Sequence, residues 1–115
     1  MSKESANIRS NLAEATDALD KKDIPLDQRV KVGANKLWSA MFDRDYWPPD
    51  MIAEAEQVMR RVLVNGPVDR SVPEMDETTL KGLAVRIRSL AARAHAAVSR
   101  NEQHERGLSR NRRPR

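Results

Sequence analysis

Residues 80–98 read LKGLAVRIRSLAARAHAAV. Leu80, Leu83, Ala84, Ile87, Leu90, Ala91, Ala94 and Val98 recur at intervals of three and four, a spacing that stacks side chains on one face of a helix. Ahead of them, Ser71 and Glu74 have capping-box spacing, Pro73 suits a first turn, and Asp76 is a second candidate cap. The stretch predicts a helix from about Glu77 to His104, roughly 40 Å long at 1.5 Å per residue. It is the longest and most regular signal in the chain, and it sets the fold class.

Three shorter helices, each about 25 Å long, are read upstream. Ile8, Leu12, Ala15 and Leu19 share one face of a helix ending near Lys22. Pro25 breaks the chain after it, because the residue before a proline is pushed out of the helical region. Asp27 is placed to cap a second helix, which runs to about Asp43 with Val30, Ala34, Leu37, Trp38 and Met41 as its inner stripe. Gly33 inside that helix costs about 1 kcal/mol relative to Ala, and either marks a close helix crossing or is simply tolerated. Pro48-Pro49 opens a third helix, with Asp50 near the positive end of its dipole. Ile52, Ala55, Val58 or Met59, and Val62 face inward, and Asn65-Gly66-Pro67 stops the helix, with Gly66 suited to a left-handed backbone position.

The 115 residues suffice for one modest core. All the aromatic residues, Trp38, Phe42, Tyr46 and Trp47, lie in one short stretch, so the remaining core is aliphatic. The expected core is Leu12, Leu19, Leu37, Trp38, Met41, Ile52, Val58, Val62, Leu80, Leu83, Ile87 and Leu90. The fold class is therefore all-α: a small antiparallel bundle of four main helices with a long C-terminal helix and a disordered basic tail. Residues 1–105 are expected to form the bundle domain and residues 106–115 a flexible, arginine-rich tail, with too little apolar surface to fold alone.

Charge is divided unevenly. Residues 1–78 carry 11 Lys and Arg against 15 Asp and Glu, whereas residues 79–115 carry 10 against 2. The basic third supplies the first candidate site: Arg93, Arg100, Arg106, Arg110, Arg112, Arg113 and Arg115. A guanidinium pairs with phosphate at two points, and nucleic-acid affinity rests mainly on neutralising phosphates. An anionic partner, nucleic acid foremost, is the expectation. The plainer reading is that these cations stabilise a helix C-terminus and keep the chain soluble. The second candidate is a protein interface at Trp47 and along Ala91, Ala94, Ala97 and Val98. There the long helix is expected to overhang the bundle and offer a small-residue face to another helix, including one from a second copy. Trp38 is read as core and Trp47 as the partly exposed aromatic.

The chain contains no Cys, which removes disulfides, thiolate catalysis and Cys-based metal centres. Asp43, Asp45 and Asp50 lack the glycine and distal glutamate of a calcium loop, and His95 and His104 are nine residues apart rather than four. Neither a G-x-S-x-G elbow nor a Gly-rich phosphate loop occurs. The expectation is a non-enzymatic protein with no cofactor or metal. No apolar run approaches the roughly 20 residues of a membrane span, and the N-terminus shows no secretory signal. A cytoplasmic location is the matching expectation.

Overall fold

A computed structural model describes the backbone of residues 3–42, 44–63 and 66–111, and within these the side chains of all but 3–5, 44, 69 and 101–111. Every regular element among them is a helix. Four long helices dominate: α1 (Lys3–Asp20), α2 (Leu26–Ala40), α3 (Pro49–Val62) and α5 (Glu77–Asn111). A one-turn helix, α4 (Val68–Ser71), and 3-10 turns at Arg44–Tyr46 and Val72–Glu74 fill the connections.

The apolar stripes read from the sequence form one continuous core. Leu12, Leu37, Val58, Val62, Ile87 and Leu90 are fully buried in it. Helix α1 packs chiefly on α2 and α5, and α3 lies on α5 and the end of α2. The α1–α2 crossing is close at Gly33. A Cβ built there would stand 3.1 Å from Leu19 Cγ and Cδ1, so this glycine does mark a helix crossing. The expected turn at Gly66 is present as well, with φ at +114°.

Two caps differ from the sequence reading. Helix α2 begins at Leu26 with Pro25 as its N-cap residue, and Arg29 N–H donates to the Pro25 carbonyl at 3.0 Å. Asp27 therefore falls inside the first turn, where its charge still faces the positive dipole end. Ser71 makes no side-chain cap to the turn that follows it. It ends α4, is fully buried, and donates its hydroxyl to the Gly66 carbonyl at 3.0 Å. The cap of α5 is Asp76, whose Oδ1 accepts the Thr79 N–H at 2.7 Å.

The aromatic assignments are exchanged. Trp47 is buried, at 4% exposure, and its indole N–H donates to the Ala40 carbonyl at 3.0 Å. Ala40 ends α2, where carbonyls lack helical partners, so the turn over Arg44–Tyr46 folds Trp47 back as a lid on the helix end. Trp38 is 45% exposed and Phe42 74%. Leu37 takes the centre of the inner stripe, which rotates Trp38 about 100° off it.

The overhang of α5 also begins later than expected. Arg88 meets Asp20, and the notch between the helices sets Leu12, Ala13 and Thr16 beside Ala92 and His95. Each step back along α1 thus matches a step forward along α5, an antiparallel register that brings Lys3 level with about residue 105. Ala91, Ala94, Ala97 and Val98 are consequently buried inside the chain's own bundle, and Trp47 likewise, so the face expected to receive another helix is already covered. Helix α5 itself runs on to Asn111 rather than ending near His104. Gly107 is the weakest helix former in that last stretch, and proline enters only at position 114.

Candidate functional site

Two surfaces stand out, one basic and one aromatic. The basic one is carried by α5. Arg86, Arg93 and Arg100 are seven residues apart, which keeps them on one flank of the helix. Two of the α5 arginines are tied into the bundle. Arg88 grips Asp20 of α1 with both branches of its fork, Nε to Oδ1 at 2.6 Å and Nη2 to Oδ2 at 3.1 Å. That hydrogen bond, with the attraction of the guanidinium, holds the Asp20 carboxyl below its ordinary value and raises Arg88 above its own. Arg93 Nη2 donates to Glu54 Oε2 of α3.

Of the arginines expected to bind an anion, Arg93 is therefore engaged within the chain, and Arg100 is exposed. The α5 backbone carries positions 106 and 110 past the level of Lys3, but their side chains lie outside the described residues. Arg112, Arg113 and Arg115 lie outside them entirely.

The aromatic surface lies where α2 ends against α3. Trp38 and Phe42, one helical turn apart, meet edge to face with ring centres 6.2 Å apart and planes at 70°. Beside them runs an open groove of about 410 Å³, floored by Met41 and Met59, with Leu63 at its end and Glu56 and Arg60 on its rim. Leu63 is itself 36% exposed. The sequence reading missed this surface because it gave Trp38 to the core. The signal was available: a stripe through Val30, Ala34, Leu37 and Met41 leaves position 38 at its edge.

Little else converges. Among the described residues, no three His, Asp or Glu side chains are grouped as a metal site would require. Asp45 and Asp50 are exposed, Asp43 lies outside the described residues, and His95 is half-buried beside Thr16 and Ala92. Among the described residues no helix is long and apolar enough to cross a membrane. No protein-family model matches this chain, and neither a curated protein nor a solved structure does.

Proposed function

We propose that this chain is a non-enzymatic helical adaptor whose last helix presents an arginine-rich end to an anionic partner, with nucleic acid the leading class. The observation that carries this reading is the continuation of α5 to Asn111, beyond the level at which α1 stops covering it. Residues 100–115 hold six Arg against two Glu. Arg88 and Arg93 are committed to carboxylates of the bundle, whereas five of the ten Lys and Arg of residues 79–115 lie beyond Glu105. A basic rod set apart from an acidic body can lie along a phosphate backbone while the body's carboxylates stay at a distance, beyond roughly one Debye length of 8–10 Å.

The test is binding of labelled DNA and RNA, duplex and single-stranded, across a salt series. The full chain is compared with a truncated chain ending at Glu105 whose melting temperature matches it. If all five arginines beyond Glu105 meet phosphates of a duplex, log affinity falls against log salt with a slope of about −4 to −5. The truncated chain loses most of this binding. Equal affinity of the two chains, or no binding by either at low salt, rejects the reading and assigns the arginines to solubility.

A further inference from the structure

We propose that the Trp38–Phe42 face is a two-fold contact between two copies of this chain. Single exposed apolar side chains are ordinary on a protein surface, but this patch is not a scatter. Two of the chain's four aromatic residues stand together in solvent, in mutual contact, beside an open groove floored by two methionines. Contiguous patches of this kind mark interaction sites.

The patch carries both halves of a contact. Phe42 is the knob, at 74% exposure, and the hollow over Met41, Met59 and Leu63 is the hole. A two-fold interface uses the same surface on both partners, so each copy must offer knob and hole side by side. Methionine sulfur is a favourable neighbour for an aromatic ring, and its flexible chain adapts to the ring's shape. The rim is self-complementary in charge as well. Glu56 and Arg60 stand one turn apart on α3, so a two-fold axis between them sets each against its opposite in the second copy. A partner of single-signed surface would gain from one of these groups and be repelled by the other.

Size limits the strength. Two rings of roughly 150–250 Å² each, already partly covered, fall short of the roughly 800 Å² per partner of a stable interface. The dimer is therefore weak, with a dissociation constant on the order of 0.1 mM.

The experiment is sedimentation equilibrium of the full chain from about 10 µM to about 1 mM, with tryptophan emission recorded in parallel. About 0.3 M salt screens attraction between basic ends and acidic bodies. Trp47 is buried at any concentration, so a shift in emission reports Trp38. The expected result is a monomer–dimer equilibrium with a blue shift on association. Phe42→Ser, a change at an exposed position, removes both. Glu56→Arg weakens association about threefold or more, and adding Arg60→Glu restores it. A monomer at 1 mM with unshifted emission overturns the proposal and leaves the face to a different protein. A dimer that Phe42→Ser leaves intact overturns it too. Truncation at Glu105 leaves the dimer intact, so this outcome and that of nucleic-acid binding are independent.

Discussion

Replacing each tryptophan by alanine separates the two roles the structure gives them. Trp47 is 4% exposed and supplies the hydrogen bond that satisfies the Ala40 carbonyl. Deleting a buried tryptophan costs about 3–5 kcal/mol through lost transfer energy and the cavity left behind. About 1 kcal/mol of that belongs to the hydrogen bond, since the carbonyl at the end of α2 loses its donor. Trp38 is 45% exposed, and its alanine variant gives up the burial of about half an indole and an edge-to-face pair, about 2–3 kcal/mol together. A domain of this size is stable by about 5–15 kcal/mol, and each kcal/mol moves its melting temperature by about 4 °C. Trp47→Ala should thus lower the midpoint by about 12–20 °C and Trp38→Ala by about 8–12 °C. Thermal and urea unfolding followed by helical circular dichroism measures both without depending on the deleted fluorophores. Trp47→Phe, which retains a ring but no donor, should fall between them. Losses of equal size at the two positions, or a larger loss at Trp38, would refute the assignment of Trp47 as the anchor.

Two further outcomes follow from the helix contacts. Gly33→Leu should cost about 1–3 kcal/mol, because even its Cβ lies 3.1 Å from Leu19 and the longer side chain overpacks the α1–α2 crossing; a urea midpoint at or above that of the parent chain would show that the helices can separate freely there. Acid should weaken the fold through Asp20, whose folded value is held down chiefly by the Arg88 hydrogen bond. The contribution of a lowered carboxyl is complete above its unfolded value of about 3.9 and disappears as pH falls through the folded one. Arg88→Gln should therefore lose stability at neutral pH and decline less below about pH 4, in urea midpoints recorded across that range. The pair is exposed, so added salt shrinks the difference.

The helical architecture was legible because it is periodic. The stripe through Leu80, Leu83, Ile87 and Leu90 needs no knowledge of its neighbours, and these side chains are buried as their spacing requires. Proline and glycine placed the breaks at Pro25, Pro48 and Gly66 for equally local reasons. Trp38 and Trp47 were exchanged because their fates depend on how seven residues fold back after Ala40. Periodicity says nothing about such a turn. Position 38 sits at the edge of a stripe, and the bulk of an indole was a poor guide to which side of that edge it falls. The alanines at 91, 94 and 97 illustrate a second limit. A small-residue face predicts close approach by a helix but not whose helix, and here helices of the same chain fill the place.

The same register explains why the charge asymmetry of the sequence overstates the basic surface. Summed over residues 79–115 the excess looks like one long cationic helix. Folding spends part of it: Arg88 fastens α1 and Arg93 fastens α3, each on an acid from the acidic portion of the chain. The uneven division of charge along the sequence is, in this sense, partly the chemistry of helix pairing, in which a basic last helix docks onto acidic earlier ones. The part that pairing does not explain begins near Arg100, where α1 is close to running out. A functional role for the arginines therefore rests on the end of α5 and not on its length.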